Sequence, residues 1–465
     1  MRADLAPFSA TMDHPVLRSW LASSSTPINA ALQSRDQPRC WTSDPSSLAT
    51  TSSIHALHFG TGDRIFESIL PAIEATEHEL ILVTCYWARS SSHERINDSL
   101  RKLSAKAVSQ NRKIRVRLCF SSSGLWQKLF HTASLSGRVY DPSKWTNVVG
   151  LPHRSELQGL DLELKSIFIL PISIIHPKFI IVDRAKVFSP SCNISWEDWF
   201  EGCLELTGPV VQQYITFWLS FWASDADKKL ESDPSTPSGN LPSSANSPSP
   251  GLLSTKSLNY KSIQTLFLPS PHHRNPQLRL PWQISPPAPP TPLNLFLLSA
   301  FDQTKQAIYI QTPNLTSQPC IVALLSALQR GVNVRLLTSE RLQLLEQIIT
   351  AGTTSPRCVK RLVGTYQRLL QNPSDTPLGR LEVLFYQPKP KGESGEPDQS
   401  HLKLTVIDDE IAVFGSGNMD RASWFTSQEL GIAFFSAEFV EQTRAALGEA
   451  LEGRTKVFYD SKEER

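Results

Sequence analysis

Apolar and polar positions fall into a pattern that occurs twice along this chain. Up to residue 53 there is little periodicity and much Ser, Thr and Pro, which predicts an irregular N-terminal arm. Glu79–Trp87 (ELILVTCYW) is a short apolar run that predicts a buried strand. His93–Asn111 carries Ile96, Leu100, Leu103 and Ala107 on one helical stripe, and Lys113–Phe120 alternates as a strand. Strands are predicted over Leu164–Leu170, Ser173–Asp183 and Lys186–Ser191, then a helix over Val210–Ala223. The second half repeats this order. Helices are predicted at Leu293–Lys305 and Cys320–Gln329, with strands at Ala307–Gln311 and Val332–Thr338. Strands at Leu381–Tyr386, His401–Asp408 and Ile411–Ser416 follow, then a closing helix at Ala437–Leu447. Interleaved strands and helices predict α/β layers, and their repetition predicts two similar lobes related by a pseudo-twofold.

Between the halves, residues 225–292 turn Pro/Ser-rich (SDPSTPSGNLPSSANSPSP, LPWQISPPAPPTP). Such sequence buries too little apolar surface to offset its ordering entropy and predicts a linker. The expected organisation is an arm to residue 53, a lobe over 54–224, the linker, a lobe over 293–450 and a short tail over 451–465.

The two halves also agree at their most polar point. HPKFIIVD places His176, Lys178 and Asp183 ahead of Ser191 and Asn193; HLKLTVID places His401, Lys403 and Asp408 ahead of Ser416 and Asn418. Counted from each His, the Lys lies two residues on, the Asp seven, the Ser fifteen and the Asn seventeen in both copies. One such motif would arise by chance in roughly one chain in thirty of this size, but two with the same downstream residues would not. Residues two apart on a strand share a face, so each His and Lys point together. Their neighbours are almost all apolar, and a cation projected into such surroundings needs an anion to meet it. A phosphate would serve. Asp183 and Asp408 fall on the opposite face and are expected to anchor the strand-end turns. Ser191, Asn193, Ser416 and Asn418 are expected to donate hydrogen bonds to phosphate oxygens.

A duplicated HxKxxxxD followed by a Ser-x-Asn resembles the phospholipase D superfamily over both structured halves. The second copy is complete as Gly415-Ser416-Gly417-Asn418, whereas the first has Pro190 where the Gly is usual. The resemblance implies a bilobal α/β/α sandwich, the phospholipase D fold, with one active site between the lobes. It also implies a two-step displacement without metal or other cofactor. His176 would attack phosphorus to form a phosphohistidine and His401 would protonate the leaving oxygen, the reverse assignment staying open, with Lys178 and Lys403 stabilising charge. Glu201 (WFEG) and Glu429 (QELG) stand where the family often has a Glu, each placed to bond a catalytic His.

The implied substrate is a phospholipid or other phosphodiester, with hydrolysis and phosphatidyl transfer, as in cardiolipin synthesis, both open. A nuclease of the same superfamily is the first alternative, disfavoured by a net charge of +2, and a scaffold without activity is the rival from another class. An aromatic group (Trp196, Trp199, Phe200, Phe217, Trp218, Phe221, Trp222) offers either core packing or a peripheral membrane contact. Seven scattered cysteines without CxxC spacing predict free thiols in a reducing, intracellular compartment, cytoplasmic or membrane-peripheral. The Arg/Ser-bearing N-terminus raises a mitochondrial alternative that Asp4 and Asp13 oppose.

Overall fold

The computed structural model describes residues 14–32, 42, 44–124, 137–169, 173–231, 251–273, 286–371, 377–390 and 395–462. In the first half the strands are β1 (Ala49–Gly60), β2 (Glu79–Tyr86), β3 (Ile114–Ser122), β4 (Arg138–Val139), β5 (Leu160–Ser166), β6 (Phe179–Val182), β7 (Lys186–Pro190) and β8 (Trp199–Thr207). The second half contributes β9 (Ser254–Ser270), β10 (Ala307–Thr312), β11 (Asn333–Thr338), β12 (Leu381–Tyr386), β13 (Gln399–Ser400), β14 (Leu404–Ile407), β15 (Ile411–Gly415), β16 (Glu429–Phe435) and β17 (Thr455–Asp460).

Pairing links them into one mixed sheet. The first lobe runs β5-β3-β2-β6-β7-β8-β1, and the second runs β12-β11-β10-β14-β15-β16-β9 in the equivalent order. Antiparallel pairing of β1 with β9, from Ala49 opposite Leu266 to Phe59 opposite Ser254, joins the two. Antiparallel contact between equivalent strands is what a pseudo-twofold requires. Helices Gly62–Ala75 and Ser91–Ser109 in the first lobe, and Pro292–Gln303 and Gln318–Gln329 in the second, cover the sheet.

Three expectations are corrected. The linker holds β9, the first strand of the second lobe. Its second half (IQTLFLPS) supplies buried Leu266, Phe267 and Leu268, while its first half is polar and read as linker. The arm contains a helix, Pro15–Leu32, whose Leu17, Trp20 and Ile28 are fully buried; Trp20 meets Phe296 edge-on at 6.4 Å. Its four serines and Pro27 hid that apolar stripe. The tail carries β17, paired with β12 at the sheet edge.

The two hairpins that follow the motifs are alike. Asp183 and Arg184, and likewise Asp408 and Asp409, adopt positive φ in tight turns. Asp183 accepts hydrogen bonds from the amides of Glu77, His78 and Glu79 at 2.8, 2.6 and 2.9 Å, which ties the turn to the start of β2. Asp408 does the same at the start of β10, with Lys305, Gln306 and Ala307 at 2.9, 2.7 and 3.0 Å. These turns fix the register of the strands that carry the site.

Candidate active site

His176 and Lys178 lie just before β6, and His401 and Lys403 just before β14, so the strands are shorter than the runs predicted over Ser173–Asp183 and His401–Asp408. Each His is placed by backbone bonding to the other lobe. The His176 amide donates to the Gln428 carbonyl at 3.0 Å, one residue before Glu429. The His401 amide donates to the Phe200 carbonyl at 2.9 Å, one residue before Glu201, and β13 pairs there with β8. Glutamate and histidine therefore meet across the axis. His176 Nδ1 lies 2.9 Å from Glu429 Oε2, and His401 Nδ1 lies 2.7 Å from Glu201 Oε1. A Nδ1–H donated to a carboxylate leaves the lone pair of a neutral imidazole on Nε2. The two rings stand 6.4 Å apart, centre to centre.

Burial, reinforced by Lys178 and Lys403, holds the His176 imidazole well below its ordinary pKa. His401 is lowered for the same reasons, burial first. Burial raises Glu201 and pushes Glu429 up to about 7, while it brings Lys403 down to about 7. Lys403 Nζ sits 2.6 Å from the His401 carbonyl and 2.9 Å from each ring nitrogen. Lys178 Nζ donates to the His176 carbonyl at 2.8 Å. His176 keeps 13% side-chain exposure and His401 2%, so His176 is the more open to the cleft.

The serines do not serve as the sequence predicts. Ser191 Oγ donates to Glu201 and accepts from the Gly202 amide at 2.9 Å. Ser416 Oγ donates to Glu429 and accepts from the Leu430 amide at 3.0 Å. Both hydroxyls are engaged in holding the carboxylates rather than turned to a phosphate. Ser423 Oγ adds a bond to Glu429 at 2.7 Å, a contact with no counterpart in the repeat and no signal in the sequence. Asn193 and Asn418 do line the cleft. Asn193 Oδ1 accepts from the Tyr86 amide at 3.3 Å; Asn418 Nδ2 donates to Asp420 at 2.8 Å, and its buried Oδ1 has no partner.

Pro190 leaves the first copy intact. Its neighbour Ser191 donates its amide to the Gly202 carbonyl at 2.8 Å, matching Ser416 to Leu430 at 2.9 Å, so the missing donor is one this contact does not use. Gly415, at φ 159° and with a Cβ position 2.3 Å from the Leu430 carbonyl oxygen, has no room for a side chain. The aromatic group divides. Phe200, Phe217, Trp218, Phe221 and Trp222 are core, whereas Trp196 is exposed and Trp199 packs 4.7 Å from the His401 ring. Trp196 and Trp199 line the cleft, whose volume is about 230 Å³, together with Tyr86, Glu197, Glu346 and Asp420. Among the described residues no cluster of His, Cys, Asp and Glu has the form of a metal site, and six of the cysteines are free and buried. Cys40 lies outside the described residues.

Residues 297–450 match the family described as cardiolipin synthase, PLD-like domain. No curated protein matches the chain. Among solved structures, it is similar to phosphatidylserine synthase from Haemophilus influenzae Rd KW20. That likeness is at 13% identity and a TM-score of 0.52, covering 88% of this chain and 90% of the other. It is also similar to Nuc, a phospholipase D family member from Salmonella typhimurium. There the identity is 17% and the TM-score 0.26, covering 35% of this chain and 89% of the other. Fold and site define a duplicated α/β protein whose two motif histidines line one interlobe cleft. Residues 297–450 carry the PLD-like domain, and the chain as a whole has the phospholipase D fold.

Proposed function

We propose that the protein hydrolyses or transfers a phosphatidyl-type phosphodiester through a phosphohistidine on His176. The observation that carries this reading is the crossed pair of His–Glu contacts, which holds both Nδ1 atoms on carboxylates while both histidines line one cleft. A ring separation of 6.4 Å leaves room for one phosphoryl group in contact with both imidazoles, at about 3 Å from each reacting nitrogen. In the first step the Nε2 lone pair of His176 attacks phosphorus, and the bond to the leaving oxygen breaks as that oxygen takes a proton from His401. In the second, water or an alcohol attacks phosphorus and returns a proton to His401 while the P–N bond breaks. The greater exposure of His176 supports its role as nucleophile.

Without substrate, burial and the lysines keep both imidazoles neutral. The anionic phosphodiester supplies the charge that lets His401 hold its proton. Lys178 and Lys403 would stabilise the equatorial oxygens, and the Asn193 side-chain amide would reach one of them. The narrow cleft, its tryptophans and its carboxylates Glu197, Glu346 and Asp420 favour a lipid head group over a polynucleotide.

The test compares wild type with His176→Ala and His401→Ala, in EDTA, on a phospholipid panel with glycerol and on single-stranded DNA. A labelled short-chain lipid quenched in alkali is expected to leave label on His176. Lipid turnover lost in both variants is the expected result. Cleavage of DNA alone overturns the substrate, label on His401 reverses the roles, and no turnover of either substrate brings forward a silent scaffold.

A further inference from the structure

The short helix Leu344–Ala351 reverses the usual pattern of a surface helix. Its buried residue is Gln347. That amide donates to Asn314 Oδ1 and the Leu342 carbonyl, both at 2.7 Å, and accepts from the amide and hydroxyl of Ser355 at 2.6 and 2.9 Å. Leu345, Ile348 and Ile349 instead face solvent, at 72%, 50% and 63% exposure. A helix whose only concern was packing would turn these residues inward. A polar anchor inside and an aliphatic ridge outside mark a surface made for contact.

Beside this ridge runs a groove of about 870 Å³, between the same helix and helices Gln318–Gln329 and Ser355–Gln371. Ile321, Leu325, Leu362 and Phe425 give it an apolar lining, and Arg357, Arg361, Arg368 and Arg421 give it a basic one. No Asp or Glu occurs among its described lining residues. Helix Ser355–Gln371 contains Arg357, Lys360, Arg361 and Arg368 and no acidic residue. Glu346, on the helix that bears the ridge, lines the catalytic cleft. The helix is thus a wall with the cleft on one side and the groove on the other.

We propose that this face docks on a bilayer containing anionic phospholipid, with Leu345, Ile348 and Ile349 in the acyl layer and Arg357, Arg361 and Arg368 on head-group phosphates. Charge complementarity selects the occupant, because an aliphatic ridge next to a rim of one sign matches hydrocarbon beneath a layer of phosphates. Docking there sets the cleft beside its lipid; this purpose, though not the docking itself, rests on the function proposed above.

The test is cosedimentation of the full chain with phosphatidylcholine vesicles, with and without an anionic phospholipid. Leu345→Ser with Ile349→Ser is expected to weaken binding to anionic vesicles by at least about tenfold. Arg357→Gln with Arg361→Gln is expected to abolish its dependence on anionic lipid and on salt. Both variants should turn over a soluble short-chain phosphodiester as wild type does, since neither touches the cleft. Wild type that ignores anionic vesicles, or variants that bind as wild type does, would overturn the proposal. So would a wild-type dimer in sedimentation velocity that Leu345→Ser dissolves, because the ridge would then cover a second copy. Vesicle binding without lipid turnover leaves docking in place and removes only the catalytic reading.

Discussion

Replacing Glu429 by Gln isolates what the crossed carboxylates contribute. The side chain keeps its shape and loses its charge. In the proposed attack of His176 on phosphorus the ring becomes cationic, and a carboxylate oxygen lies 2.9 Å from its Nδ1. At that separation an effective dielectric constant of about 20 gives an attraction of about 6 kcal/mol. The glutamine oxygen still accepts a hydrogen bond, at about 1 kcal/mol. Rotation of the Ser416 and Ser423 hydroxyls recovers part of the remainder. A net loss of about 3 to 4 kcal/mol lowers kcat by roughly 10²- to 10³-fold. KM should move little, since the ground-state imidazole is neutral. The assay is steady-state turnover of a soluble phosphodiester with a chromogenic leaving group, alongside a melting curve. Stability should hold or rise, because a carboxylate whose burial is unfavourable has been removed. A kcat within about threefold of wild type, in a protein with unchanged melting, would refute the reasoning.

The pH profile follows from the same groups. Activity should rise with pH as Glu429 ionises near 7 and fall again as Lys403 loses its proton near 7, giving a narrow bell around neutrality whose acid limb Glu429→Gln removes. Stability carries the opposite sign for the carboxyl. Its folded pKa is raised above the ordinary 4.5, so its contribution is full below that value and lost as pH rises through about 7, which melting curves against pH will read. Ser416→Ala should lower kcat about tenfold by loosening Glu429, with KM unchanged; a selective rise in KM would restore the serine to the phosphate. Asp408→Asn removes a charge that three amides share and should cost about 1 to 3 kcal/mol in chemical denaturation without altering the pH profile.

The sequence made the site more legible than the frame that carries it. Identical offsets in two motifs singled out His176, His401 and their lysines, and the fold brings the two histidines to one cleft. It could not show that Glu201 serves His401 and Glu429 serves His176. A repeat pairs equivalent residues, whereas the contact crosses the axis. The serines misled for a related reason. A hydroxyl near a histidine suits a phosphate and a carboxylate equally well, and only the backbone path of β7 and β15 decides between them. β9 was obscured by its own composition. Its first residues, STKSLNYK, lie at the exposed end of a long strand, and Pro-rich sequence lies on both sides. The strand becomes visible once β1 is known to need an equivalent partner.

The crossed glutamates and the β1–β9 seam have a consequence for any attempt to divide the molecule. A single lobe would present an open strand edge and a histidine with no carboxylate to orient it. The shape that heals this deficiency is another lobe, turned through half a revolution. Two fragments severed between the lobes should therefore be inert when kept apart and regain turnover when mixed, each completing its neighbour's proton inventory.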